Sequence, residues 1–370
     1  MDSFDASSMK RDEFLHMNSG DGERSYARNS TIQRKIMLKA NFVLEETIKT
    51  LYRDHSLECL KVADLGCSAG PNTLLFISNI VDIVNTTCTH LNREPPTFQF
   101  YLNDLFGNDF NTIFKSLSDF YKRLEEQGHK LGSCFINATP GSFYGRLFPC
   151  NSINFFHSAN SLHWLSQDPL LELTSEEKSL NKGNCYIVST SPPTIYNAYV
   201  KQFQKDFELF LKSRSEELVS GGAMVLVFLG KSNTPRITGW EIISLILNDM
   251  FLEGLIEEAK LDSFNIPVFE PTIEEIRHVI KEEGSFYLQR LELCTIPWNE
   301  CTNEDNDTNN IRAKVMAKHA RAIMEPLLSA NFGGQVISEV FVRYQKKIVQ
   351  LMEVEKLESS TFIISMTKIA

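Results

Sequence analysis

Residues 59–76, CLKVADLGCSAGPNTLLF, constrain this chain more than any other stretch. An apolar strand runs into Asp64-Leu65-Gly66-Cys67-Ser68-Ala69-Gly70 and is followed by a helix opened by Pro71. Proline suits a first helical position because that turn has no N–H bond to lose. Gly66 and Gly70 let the backbone turn sharply and approach a ligand at the carboxyl edge of a first strand. The unit predicts a mononucleotide-type cofactor site, with a purely structural turn as the competing reading. Dinucleotide sites place three glycines as GxGxxG to seat a pyrophosphate on the helix N-terminus. Here Cys67 fills a middle position. S-adenosylmethionine carries no pyrophosphate, so a looser turn with an acidic strand end suits it better than NAD.

Downstream, apolar runs alternate between strand and helix spacing. Residues 31–53 read as a helix, Leu60–Leu65 as a strand, Pro71–Thr86 as a helix, Thr97–Leu102 as a strand, Asp109–Glu126 as a helix and Ser133–Ala138 as a strand. Ser152–His157, a helix at Thr194–Leu218 and a strand at Ala223–Leu229 behind Gly221 and Gly222 follow. Such alternation predicts a mainly parallel, doubly wound sheet covered on both faces. The later part reads as helices Trp240–Glu253, Ile273–Glu282 and Arg312–Glu355, the last broken near Gly333. Two late strands, Phe286–Cys294 and Thr361–Lys368, are expected to pair antiparallel at the sheet edge. The organisation is therefore an N-terminal segment over 1–55 that closes on the site and a core over 56–235. A mainly helical cap over 236–350, with an edge strand near 286–294, and a C-terminal strand of the core sheet within 351–370 complete it. The polar run Asn299–Asn310 reads as a mobile surface loop.

The share of apolar residues, 42%, suits a sizeable core, and 26 phenylalanines predict an aromatic one. A net charge of −10 opposes attraction to polyanions or acidic lipid. The longest apolar run, Met224–Leu229, is far short of the ~20 residues of a spanning helix, and the N-terminus lacks an apolar signal core. No nucleic acid or membrane partner and a cytoplasmic location are expected. The eight cysteines never form CxxC and read as free thiols.

Asp104, at the carboxyl end of the second strand, is placed to accept both ribose hydroxyls; a turn or cap role is the alternative. In PGSFYGRLFP, residues 140–149, Ser142 can bond an adenine edge and Phe143 can stack on it. HSANSLHWLSQDP brings Asn160, His163 and Trp164 to the crevice beside the methyl donor.

MNSGDGERSYARNS, VADLGCSAGPNT, LNDLFGNDFN, PGSFYGRLFP, HSANSLHWLSQ, NKG at Asn181–Gly183, KLDSFNIPVF at Lys260–Phe269 and EEGSF at Glu282–Phe286 together resemble the plant SABATH methyltransferases. That family includes salicylate, benzoate and jasmonate carboxyl methyltransferases and theobromine and caffeine synthases. The resemblance implies an α/β fold: a Rossmann-like, doubly wound class I methyltransferase core with a helical cap. It assigns Tyr26, Cys67, Asn72, Asp104, Leu105, Ser142 and Phe143 to S-adenosylmethionine, and His163, Trp164, Gln33, Trp240 and Phe341 to a small-molecule acceptor. Asn181, Asp262, Phe264 and Asn265 match positions where some members bind Mg²⁺, Phe264 through its carbonyl. Oxygen ligands suit that ion, but one carboxylate makes a weak site, and helix capping is the alternative. The family often forms homodimers, so the resemblance implies a homodimer as one possible assembly.

If the acceptor is already a carboxylate, no acid or base is required. The nucleophile must be held at ~3–3.5 Å and stripped of water inside an aromatic box. Gln33 and the Trp164 indole would then aim one oxygen at the methyl. A xanthine N–H would need a proton acceptor, and His163 is the nearest candidate; its competing reading is a bond to a backbone carbonyl. Gln33 resembles the carboxyl methyltransferases, whereas LNDLFGNDFN resembles the caffeine-synthase branch, with Phe106 expected nearer the cofactor. Asn160 departs from the family pattern, removing a ring and adding an amide, and with His163 it makes the acceptor pocket more polar. The reading is methyl-ester formation on a jasmonate- or benzoate-type carboxylate. N-methylation of methylxanthines in purine alkaloid biosynthesis is the alternative, and a catalytically silent ligand-binding homologue comes after it.

Overall fold

The computed structural model describes residues 15–54, 57–128, 133–232, 234, 236–301 and 308–369. In chain order they form α1 (Tyr26–Asn29), α2 (Thr31–Asp54), β1 (Cys59–Leu65), α3 (Asn72–Leu91), β2 (Thr97–Asp104), α4 (Phe110–Lys115), α5 (Leu117–Glu126), β3 (Cys134–Pro140) and β4 (Ile153–Ala159). Next come α6 (Ser175–Ser179), α7 (Pro193–Glu217), β5 (Leu218–Leu229), α8 (Gly239–Leu252), α9 (Glu258–Asp262), α10 (Ile273–Glu283) and β6 (Phe286–Pro297). A 3₁₀ turn at Trp298–Cys301, α11 (Asn309–Phe332), α12 (Gly334–Val354) and β7 (Glu358–Lys368) complete the order.

The strands make one sheet in the order β3-β2-β1-β4-β5-β7-β6. The pairs from β3 to β5 are parallel, and β7 runs antiparallel to both β5 and β6. This is the doubly wound core with an antiparallel edge. The chain steps outward from β1 to β3 and returns to β4 on the other side, which opens a crevice at the carboxyl ends of β1 and β4. Val62, Ala63, Phe155 and Phe156 on these two strands are wholly buried, as strands covered on both faces require.

Many of the phenylalanines are core. On α7, Ile195, Tyr199, Phe203, Phe207, Phe210 and Arg214 recur at intervals of three or four, so one face is buried along the helix. Phe203 and Phe207 stack at 5.5 Å. By length and hydropathy α3 could span a membrane, but half of it is buried within the protein, with Leu74, Phe76 and Ile80 in the core.

Three expectations are corrected. The helix expected over Asp109–Glu126 is two helices separated at Ser116, whose hydroxyl donates back to the Thr112 carbonyl at 3.3 Å, a bond that bends helices. Strand β5 starts at Leu218 rather than Ala223: Gly221, at φ 71°, and Gly222 lie inside the strand. A Cβ on Gly222 would come within 2.9 Å of the Val219 carbonyl. In the polar stretch expected as a mobile loop, Trp298–Cys301 form the 3₁₀ turn and α11 starts at Asn309, while 302–307 lie outside the described residues. The cysteines whose side chains are described are free.

Candidate active site

Three strand ends are stitched together beneath the crevice. The Gly66 and Cys67 N–H groups both donate to the Asn103 carbonyl at 2.9 Å. The buried Asn103 side chain in turn donates to the Thr139 and Gly141 carbonyls at 2.8 and 2.9 Å. The parallel register sets Asp64 beside His157, and the carboxylate holds both the His157 ring at 2.7 Å and the Thr73 hydroxyl at 2.6 Å. Gly66 has φ 76°, and a Cβ there would lie 2.1 Å from Ser161 Oγ, so glycine is required on both counts. Gly70 differs from expectation. A Cβ there would meet Tyr26, Ala27 and Ser30 at 3.4–3.5 Å, ordinary van der Waals contact, so this position faces the N-terminal segment rather than a ligand and does not itself require glycine.

Above this floor lies a cavity of about 460 Å³, within the range of small-molecule sites. Tyr26, Gly66, Ser68, Asp104, Leu105, Ser142 and Phe143 line one part of it. Each Asp104 oxygen accepts one backbone N–H, from Ser68 at 2.7 Å and from Leu105 at 2.8 Å. A carboxylate offers about four lone-pair sites, so acceptor capacity remains for a pair of hydroxyls. Burial pushes Asp104 up to about 6 despite those two bonds. Tyr26 is buried beside it, its hydroxyl pushed up by burial and by the Asp104 charge.

The loop bearing Ser142 and Phe143 is held from below by a buried ion pair. Arg214 donates to the Phe143 and Gly145 carbonyls at 2.7 Å each and to Glu217 at 2.8 Å. Glu217 accepts the Leu147 and Phe148 N–H groups. Tyr144 then donates to the Trp164 carbonyl at 2.5 Å, joining this loop to the next wall.

That wall carries Gln33, Asn160, His163, Trp164 and Trp240, all lining the cavity. Trp164 and Trp240 meet edge to face at 5.6 Å, with His163 6.0 and 6.5 Å from the two rings. The Trp240 indole donates to Glu270 at 3.1 Å. Asn160 sits at φ 61°, a left-handed conformation asparagine tolerates, and its side-chain nitrogen is buried without a partner, as is Gln33 Oε1. His163 Nδ1 accepts the Leu229 N–H at 3.5 Å, so Nε2 carries the hydrogen; burial pushes the ring down to about 3, and it is neutral. The competing expectation of a carbonyl partner for His163 is corrected accordingly. His319, on α11, has the opposite tautomer. Its Nδ1 donates to the Asn29 carbonyl at 3.3 Å, which leaves an Nε2 lone pair, and burial pushes it down to about 4.

A crevice at the β1–β4 switch point, an acidic β2 terminus with spare acceptor capacity and an aromatic second chamber suit a methyl donor beside an acceptor. A model of the SAM-dependent carboxyl methyltransferase family matches residues 12–369. The chain belongs to that family. It is 45% identical to a probable jasmonic acid carboxyl methyltransferase of Theobroma cacao, over 96% of this chain and 98% of the relative. It is 40% identical to a probable caffeine synthase of Coffea canephora, over 97% and 98%. A loganic acid methyltransferase solved with SAH superposes with a TM-score of 0.83 at 30% identity, covering 96% of this chain and 99% of that one. The protein is an S-adenosylmethionine-dependent methyltransferase with a class I fold.

Within this methyltransferase the remaining sequence-assigned residues are placed as follows. Cys67, Asn72 and Phe341 are buried but do not line the cavity. The Asn72 side chain donates to the Ser30 carbonyl, tying α3 to the start of α2, and Phe341 packs under the Arg321 guanidinium. Phe106, expected near the cofactor, is 75% exposed and does not line the cavity. Of the proposed Mg²⁺ residues, Asn181 Oδ1 accepts the Ser191 hydroxyl, Asp262 Oδ1 accepts the Gly183 N–H, and the Asn265 amide donates to Asp168. Phe264 is buried against Phe332. No cluster of three or more His, Cys, Asp or Glu suited to a metal occurs among the described residues. With a single carboxylate these residues make a weak Mg²⁺ set, and the bonds they form make a hydrogen-bonded link between turns.

Sequence reasoning missed Glu270, His319 and Arg214. The motif Lys260–Phe269 stops one residue short of Glu270. His319 lies three residues after Met316 and four before Ile323, which also line the cavity, so the apolar face of α11 was the available signal.

Proposed function

We propose that the chain esterifies the carboxylate of a small acid of the jasmonate or benzoate kind. The observation that carries this reading is the hydrogen-bond polarity of the wall at Trp164. Its indole N–H has no partner among the described residues, and beside it His163 is neutral with its hydrogen on Nε2. Both groups donate, which suits a carboxylate and leaves His163 with no lone pair for a proton.

When bound, S-adenosylmethionine supplies an electrophilic sulfonium methyl. Asp104 would hold its ribose hydroxyls, and Ser142 and Phe143 its adenine. Trp164 and Gln33 would orient the acceptor, and the half-buried Trp164–Trp240 wall would help exclude water from it. No side chain need accept a proton. N-methylation of a xanthine keeps support from His319, whose Nε2 lone pair could take a ring N–H. Incubation with methyl-labelled donor and a mixed panel of acids and xanthines separates the readings. Base-labile ester label is expected; label on ring nitrogen would overturn the proposal in favour of the alternative.

A further inference from the structure

A carboxylate in the acceptor chamber has one oxygen without a hydrogen bond. Glu270 lines the cavity beside Trp240, and one of its oxygens accepts the Trp240 indole N–H at 3.1 Å. Neither oxygen is in an ion pair among the described residues. Burial pushes the Glu270 carboxyl up to about 7 against the Trp240 bond and the Lys231 charge, and the Lys231 ammonium sits 4.5 Å over the Tyr196 ring rather than on Glu270. The Tyr196 hydroxyl is committed to Glu275 at 3.2 Å. The second Glu270 oxygen accepts no hydrogen bond among the described residues and is not fully enclosed, on a residue that lines the cavity.

The position is fixed from two sides. The Lys231 N–H donates to the Pro271 carbonyl at 2.8 Å, which ties the exit of β5 to the segment carrying Glu270. One residue further on, Thr272 and Glu275 form a capping box that starts α10. A carboxylate held rigidly in a largely apolar chamber costs desolvation until a donor meets it. The wall at Trp164 offers donors, whereas Glu270 offers an acceptor.

Resting on the ester reading above, we infer that Glu270 is a specificity-determining residue. It accepts a hydrogen bond from a hydroxyl or amine that the acceptor acid carries away from the carboxylate being methylated. The substrate class is therefore a hydroxy or amino acid derivative of a small apolar carboxylic acid rather than the bare acid. A purely structural Glu270 would only hold Trp240, and the substitution Glu270→Gln separates the two roles. The glutamine side chain keeps an amide oxygen for the Trp240 indole and turns an NH₂ donor towards the ligand.

The experiment measures kcat/KM of the full-length enzyme for matched acids: benzoate against its meta- and para-hydroxy and amino derivatives, and cyclopentylacetate against a ring-hydroxylated form. Products are identified by mass spectrometry. Binding of the same pairs to SAH-loaded enzyme, followed by calorimetry, gives a readout independent of turnover. The wild type is expected to prefer one donor-bearing acid by about 10- to 100-fold, the worth of a hydrogen bond to a charged group. Glu270→Gln is expected to collapse that ratio, with SAH affinity serving as the control for folding. The hydroxy and amino arms decide which donor is read. Esterification of bare and substituted acids alike, or a ratio that Glu270→Gln leaves intact, would overturn this inference and leave ester formation standing. Methylation confined to ring nitrogen would overturn ester formation itself.

Discussion

Asp104 is the most informative single side chain because its two bonds to backbone N–H groups do not offset its burial. Asp104→Ala is expected to weaken S-adenosylmethionine binding by about 1.5–3 kcal/mol, the worth of a hydrogen bond to a charged group, measured by calorimetry. The pH dependence has a definite sign. With its carboxyl at about 6 in the folded chain, above the ordinary range, the group favours the protonated native state. Stability from this source is full at low pH and lost as pH rises through about 6. Donor binding runs the other way, since ribose hydroxyls need the ionised form. Donor affinity should fall as pH drops below about 6, and Asp104→Asn should bind more weakly but with that pH dependence removed. A wild-type affinity flat from pH 5 to 8 would rule out Asp104 as the ribose ligand.

Among the helices, α7 shows how an element far from the chemistry positions it. Arg214 and Glu217, both wholly buried, hold four backbone groups of the loop over 140–149. Removing one member leaves a buried charge without its partner, so Arg214→Ala should cost about 3–5 kcal/mol in denaturant unfolding. Donor affinity should drop with it, because Ser142 and Phe143 lose their support. The Arg214→Ala/Glu217→Ala double variant should lose less than the sum of the single losses; additive losses would show that the two act separately. The apolar spacing of α7 was legible, whereas the burial of its arginine was not, since arginine is ordinarily exposed. The same limit applies to the helix expected over Asp109–Glu126. Its periodicity continues through Ser116, where the folded chain breaks into two helices and the Ser116 hydroxyl bonds back to Thr112.

At the scale of the molecule, among the described residues, the segment before α2, the core strands and the later helices meet around one cavity. Asn18 bonds the Ala322 carbonyl through its backbone N–H and Glu325 through its side chain, which binds the segment before α1 to α11 of the cap. A ligand that binds only this assembled state stabilises it by mass action. SAH at a hundred times its Kd should add about 2.7 kcal/mol, seen as a rise in Tm. At the same SAH concentration the rise should shrink in Asp104→Ala; an equal rise in both proteins would place SAH elsewhere.

The alternation of the main strands and helices, the turn at Gly66 and the acidic end of β2 follow from the amino-acid order. Each depends on residues close together in the chain: periodic apolar side chains, a proline at a helix start, a glycine at positive φ. The character of the acceptor chamber emerges only on folding. Which nitrogen of His163 and of His319 carries the hydrogen depends on Leu229 and Asn29, 66 and 290 residues away. The open oxygen of Glu270 depends on Trp240, 30 residues earlier. A side chain's donor or acceptor character in a buried site belongs to the pair it forms, and those pairs exist only once the sheet and cap have brought distant segments together.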